Sequence, residues 1–255
     1  DAPTVSSFSV VPVSSEILGA GDTVVYTATA SEAMRADTSM SITLSNNATV
    51  TLTVVEGTPT TLEGTYTISA TDDESVDLTI STYTALTAVD LSGNALDTTT
   101  TAIGEIDGNG TQGIVVDTQA PTAAISATGH TYDVSTGVLT LAAETLATMG
   151  AADGAEVKTQ VDMTKLSWDI NKSGSSLETF TDSDVTSVIL TDTNTLTITF
   201  TTEKAAELAG TTDFGGQGAS LDGLDIAEEF LKDNAGNASE QGAVSNADVA
   251  MSDTV

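Results

Sequence analysis

Apolar residues fall on every second position along much of this chain, with Thr or Ser between them. In Thr23–Ala30 the even positions Val24, Tyr26, Ala28 and Ala30 are apolar. Val50, Leu52 and Val54 alternate with Thr51 and Thr53, and Tyr66 and Ile68 sit among Thr65, Thr67 and Ser69. Leu139 and Leu141 flank Thr140, and Thr195–Phe200 repeats the pattern without a fault. A period of two predicts strands with one buried and one solvated face, as antiparallel sheets require. Many short strands, set apart by Gly, Asn, Asp and Ser, predict sandwiches rather than a parallel α/β sheet. Helix signals are few. Thr202–Leu208 holds good helix formers and stops at Gly210, and the Ala-rich run Leu141–Met149 predicts a helical turn or two.

The chain repeats itself. Asp1-Ala2-Pro3-Thr4 at the start returns as Gln119-Ala120-Pro121-Thr122, and Asp253-Thr254 stands where a third copy would begin. Within each copy a strand runs into a lone acid, Glu32 in the first and Glu144 in the second. Each copy then ends on Asp-x-x-Gly-Asn, as Asp90–Asn94 and Asp233–Asn237. Three landmarks in the same order twice place a boundary near Asp117–Pro121. They predict two domains, 1–118 and 119–255, each of ordinary domain size. The second is longer, with an insertion at Met149–Asp162 and a Gly-rich loop at Asp213–Gly218.

Charge narrows the chemistry. The 255 residues include 37 acids against 6 bases, a net charge of −31, with one His and no Cys. The halves carry −15 and −16, so acidity belongs to both. With so few Lys and Arg to displace counterions, no nucleic-acid partner is expected. No apolar run reaches the ~20 residues that span a bilayer, so no membrane insertion is expected. Asp1 reads as a processed start. Disulfides, thiolate metal sites and Cys nucleophiles are excluded. Only 17% of residues are charged and 39% are hydrophobic, enough for a packed core. Thr makes up nearly a fifth of the chain and suits a pleated surface.

The order of these landmarks (Ala-Pro-Thr, a strand closing on Ser31-Glu32-Ala33, Asp90-Leu91-Ser92-Gly93-Asn94, then Val116-Asp117-Thr118) resembles bacterial immunoglobulin-like repeats. Such repeats build large extracellular adhesins, surface layers and fibres. The resemblance spans the whole chain and implies two tandem immunoglobulin-like antiparallel β-sandwiches, an all-β chain with at most one or two short helices in the second. It also implies an extracellular location, neighbouring repeats or other copies as partners, and frequent Ca²⁺ at repeat junctions.

Ca²⁺ takes six to eight oxygens, and this chain is rich in hard oxygen donors. The expected sites gather Asp117 with Asp90 and Asn94, or with Glu32, and in the second copy Asp233, Asn237, Glu144 and Asp253. The competing reading is that Asp-x-x-Gly-Asn is a β-turn whose Asp and Asn bond their own backbone. Glu105–Gly110 imitates the start of an EF-hand loop but lacks its bidentate Glu, since position 12 is Val116. Asp72–Glu74, Asp77, Asp182 and Asp184 read as solvated loop acids. Enzyme chemistry lacks parts. His130 reads as a surface-loop residue, Trp168 as core, and no pair of carboxylates stands out. The expected function is therefore a calcium-rigidified, non-catalytic spacer or building unit. The alternatives are a module binding glycan or protein through the second domain, and a self-assembling lattice or filament subunit.

Overall fold

The computed structural model describes residues 1–12, 17–75, 77–99, 113–172, 174, 177–215 and 222–252. The chain is all-β and forms two compact units, Asp1–Thr118 and Gln119–Val255, which match the predicted boundary.

Unit 1 contains β1 (Val5–Val11), β2 (Ile17–Leu18), β3 (Thr23–Ala30), β4 (Ser39–Leu44), β5 (Thr49–Val55), β6 (Thr58–Thr67), β7 (Ile80–Ala85) and β8 (Val115–Val116). Its main sheet runs β1-β3-β6-β5-β4-β7, antiparallel throughout, and β2 pairs with β8 in parallel. The alternation sets the register of burial: Val24, Tyr26, Ala28 and Ala30 of β3 face inward, while Thr residues on the other face see water. They meet Ile42, Leu52 and Leu62 in one core. Val24, Ile42, Leu52 and Leu62 each contribute about 1.5–3 kcal/mol by leaving water.

Unit 2 contains β9 (Ala124–Ile125), β10 (His130–Asp133), β11 (Val138–Thr145), β12 (Ala155–Glu156), β13 (Leu166–Asp169), β14 (Leu177–Thr179), β15 (Val185–Asp192), β16 (Thr195–Phe200), β17 (Gly223–Ile226) and β18 (Val244–Ser252). The sheet order is β12-β15-β16-β11-β10-β18-β17-β13-β14, with β9 beside β11. β10 is antiparallel to β11 and parallel to β18, so this one short strand joins the two halves of the sheet. Antiparallel pairing thus holds for every ladder between named strands except β2–β8 and β10–β18.

Among the described residues one α-helix forms, α1 (Thr202–Gly210), over the run of good helix formers. The Thr201 hydroxyl caps it by accepting from the Lys204 N–H at 3.2 Å, and Leu208 anchors it in the core. The Ala-rich run Leu141–Met149 is different. It stays extended to Thr145 because Leu139, Leu141 and Ala143 fill the core between β16 and β9, and only Ala147–Met149 coil into a 3₁₀ turn. Pairing outweighs the helix preference of Ala. Trp168 is fully buried, as expected, edge-on to Tyr132 at 5.0 Å. His130 departs from the surface-loop reading: it opens β10 and is 1% exposed.

Among the described glycines of unit 1, Gly64 makes the tightest approach. A Cβ there would run into the Thr51 carbonyl and lie 2.7 Å from Leu52 Cδ2. Gly64→Ala is expected to destabilise unit 1 by about 1–3 kcal/mol through overpacking. Chemical denaturation followed by a probe in that unit measures it.

Candidate functional site

The two Asp-x-x-Gly-Asn segments are the sharpest repeated chemistry, and they fold alike. In unit 1 the Asp90 N–H donates to the Asn94 carbonyl at 3.0 Å and the Gly93 N–H to the Asp90 carbonyl at 3.1 Å. Gly93 sits at φ 89°, where a side chain would be strained. Asp90 Oδ1 accepts from the Ser92 and Asn94 N–H groups at 2.8 and 2.7 Å, and Oδ2 accepts from Asn94 Nδ2 at 2.7 Å. In unit 2 Asp233 Oδ1 accepts from Ala235 and Asn237 N–H groups at 2.9 Å each, and Oδ2 from Asn237 Nδ2 at 3.0 Å. Gly236 takes φ 84°. Both carboxylates are buried, at 2% and 6% exposure.

The surroundings repeat as well. Val89 bridges Ala95 in unit 1, and Lys232 bridges Ala238 in unit 2. Each turn is also stitched to an earlier segment, through Met34 and Asp90 in one unit and Val161 and Leu231 in the other. Where unit 1 exposes Leu91, unit 2 has Asn234, whose Nδ2 donates to the Gly150 carbonyl at 2.8 Å.

The remaining predicted ligands do not join these turns. Glu32 is exposed two residues before Met34, at the Asp90 end of unit 1, where Asn94 Nδ2 also reaches the Asp1 carbonyl at 3.3 Å. Asp117 lies at the opposite end: its N–H donates to the Leu18 carbonyl at 3.0 Å, next to the Gly19–Asp22 turn that leads into β3. The eight residues of β3 separate the two ends by about 25 Å at ~3.3 Å per residue. The expected meeting of Asp117 with Asp90, Asn94 or Glu32 is therefore corrected: one ion cannot span the strand. Glu144 is exposed near the end of β11, with its carbonyl held by Asn194 Nδ2 at 2.8 Å. Asp253 and the EF-hand-like Glu105–Gly110 lie outside the described residues.

Oδ1 of each Asp accepts two N–H donors and Oδ2 an amide, so three of its roughly four lone-pair sites hold the turn, as the β-turn reading expects. Among the described residues no group of three or more acids or His gathers to hold a metal. The same use of Asp recurs elsewhere. Asp97 accepts from Thr99, Asp133 from Ser135, Asp162 from Thr164 and Asp192 from Asn194, each within two residues. Asp72 and Asp184, read as solvated, also hold turns: Asp72 accepts from the Ser69 N–H and the Tyr66 hydroxyl, and Asp184 from the Thr181 N–H. Burial, with the bond to Asp72 second, pushes the Tyr66 phenol up to about 12.

These bonds favour the charged carboxylate. The amide of Asn94 holds Asp90 below the usual carboxylate range, and the hydroxyls of Thr99 and Thr164 do the same for Asp97 and Asp162.

Two buried acids carried no sequence signal. Asp222 accepts from Trp168 Nε1 at 3.1 Å, Asn171 N–H at 2.9 Å and Gly215 N–H at 3.0 Å. Asp169 accepts from the Gly174 N–H. Both tie loops to the Trp168 core. Unit 2 also holds a cleft of about 350 Å³ lined by Glu228, Glu229, Ser239, Glu240 and Gln241.

Two outcomes follow from the turns. Asp233→Ala is expected to cost about 2 kcal/mol, because buried N–H donors lose their acceptor. The loss should be equal with Ca²⁺ and with EDTA, as read by thermal melts. Because the folded-state pKa values of Asp90, Asp97 and Asp162 are depressed, their contribution is present above about pH 4 and is lost as pH falls through the folded values. Asp162→Ala should melt lower than the parent at pH 7 and lose less on acidification from pH 5 to 2.

Compared with known proteins, the chain matches no family model and no curated sequence.

Proposed function

We propose that this chain is a non-catalytic, load-bearing pair of immunoglobulin-like repeats from an extracellular adhesin, surface layer or fibre. The observation that carries this reading is the parallel pairing near the ends of each unit. β2 runs parallel to β8 in unit 1, and β10 runs parallel to the C-terminal β18 in unit 2. When a chain is pulled from its two ends, parallel strands near those ends slide past each other. Their hydrogen bonds are then loaded together in shear, whereas an antiparallel hairpin unzips one bond at a time. The recurrence of one turn, bond for bond, supports the repeat reading. The one imidazole is committed to a backbone N–H, which supports a non-catalytic role.

Ca²⁺ belongs to this proposal as an ion taken up by exposed acids, not by Asp90 or Asp233. It would relieve the self-repulsion of a chain at −31 and stabilise the folded form by mass action. A binding module is the second reading, favoured by the Glu-lined cleft of unit 2; a glycan array or pull-down that captures a ligand lost in Glu240→Gln would establish it.

Single-molecule stretching of the full chain tests the first reading. Two separate unfolding events are expected, each releasing about 40 to 50 nm of chain at ~3.5 Å per residue. The four-residue clamp of unit 2 should yield at higher force than the two-residue clamp of unit 1. Val134→Pro, which removes the N–H that donates to the Ser252 carbonyl at the end of the β10–β18 clamp, should narrow that difference. Unfolding at forces too small to resolve would overturn the load-bearing role. A melting temperature that EDTA leaves unchanged would remove Ca²⁺ from the proposal.

A further inference from the structure

The chain's one histidine occupies the seam of unit 2. β11 changes partners along its length: β10 pairs it up to Thr140, and β9 takes over at Ala143. Ala142 lies between, where the chain crosses from β9 to β10 through Ser126–Gly129. Its carbonyl accepts from the Ser126 N–H at 2.9 Å, and its N–H donates to His130 Nδ1 at 3.2 Å. The imidazole thus replaces the missing strand and caps an otherwise unpaired ladder N–H. Its other face is closed. Nε2 is buried with no hydrogen-bond partner, and the backbone of His130 is in register with Val249 of β18. The Ser126 backbone favours the charged ring, but by less than burial disfavours it.

This arrangement favours the neutral ring with its proton on Nε2, which leaves Nδ1 to accept from Ala142. A second proton would go to Nδ1 and set two donors, imidazole N–H and Ala142 N–H, against each other. Among the described residues no carboxylate is placed to receive it. β9 offers only Ala124 and Ile125. On β11 the acid is Glu144, exposed near the strand's end. On β18 it is Asp248, engaged by Lys172; on β10 it is Asp133, which accepts from Ser135, beside the buried phenol of Tyr132. Burial accordingly lowers the pKa of His130 from its ordinary 6.5.

We propose that His130 is an acid-sensitive latch: its protonation forces the ring out of the seam, frees Ala142, and loosens β10 from β11 and β18. A base that stays neutral when folded contributes stability above about pH 6.5 that is lost as pH falls toward its depressed value. Unit 1 has no histidine and should not respond in this range. The latch is independent of whether the chain bears load.

Because there is one histidine, its ring proton resonance reports the titration without ambiguity. Amide exchange of the full chain at pH 7.5 and 5.5, corrected for intrinsic rates, then reads the seam. The latch predicts a several-fold loss of protection, up to about tenfold, at Ala142 and in β10 and β18, with unit 1 unchanged. His130→Gln, whose amide oxygen accepts the Ala142 N–H without titrating, should keep its protection at both values. The proposal is overturned if the ring titrates while β10 and β18 stay protected. It is also overturned if His130→Gln or the strands of unit 1 lose protection equally.

Discussion

A carboxylate oxygen receiving backbone N–H groups across a turn is the interaction on which these two units depend. Strands this short, two to ten residues long, bury enough surface to stack but not enough to fix where each one stops. The stops are set by Asp. An Asp side chain is long enough to reach the N–H two residues on, and it holds the chain in a bend while a ladder ends. Asp90 and Asp233 do this most completely, each with three donors inside the core's edge. Asp97, Asp133, Asp162 and Asp192 do it nearer the surface with one to three.

That usage recasts the acidity. A net charge of −31 opposes compaction, and a cation would be the simple remedy. Much of the remedy is already within the backbone, because each turn N–H carries a partial positive charge that meets a carboxylate oxygen. The depressed pKa values of Asp90, Asp97 and Asp162 express the same attraction. Glu takes less part: Glu156 accepts from the Lys158 N–H two residues on, but Glu228, Glu229 and Glu240 line an open cleft while the Asp residues knot turns.

The alternation of Thr with apolar residues made the strands legible: Val24, Tyr26 and Ala28 inward and Thr27 and Thr29 outward follow from a period of two. The boundary was legible because three landmarks recur in order. Long-range partners were not. Nothing local says that His130 lies beside Ala142 and Val249, because the residues that bury it come from β11 and β18, far along the chain. Asp222 was hidden for the same reason, its donors being Trp168 and Asn171. The placement of Asp117 failed on distance: sequence order puts it near the next copy's start, but a full strand length keeps it from Asp90. The turn reading of Asp-x-x-Gly-Asn needed only local chemistry, and that is why it could be read at all.

The two units solve one topological problem in different ways. Each must carry its first strand from one half of the fold to the other so that a strand near the N-terminus can lie parallel to one near the C-terminus. Unit 1 crosses between β1 and β2 and clamps with two residue pairs. Unit 2 crosses between β9 and β10, clamps with four, and leaves an orphan N–H at Ala142 in doing so. A water or an Asn could cap that group. An imidazole caps it and also removes more apolar surface from water, but only while neutral. The longer clamp and the titratable cap therefore arrive together: extending β10 toward the crossing brings position 130 under β18, where the side chain that satisfies Ala142 must also be buried.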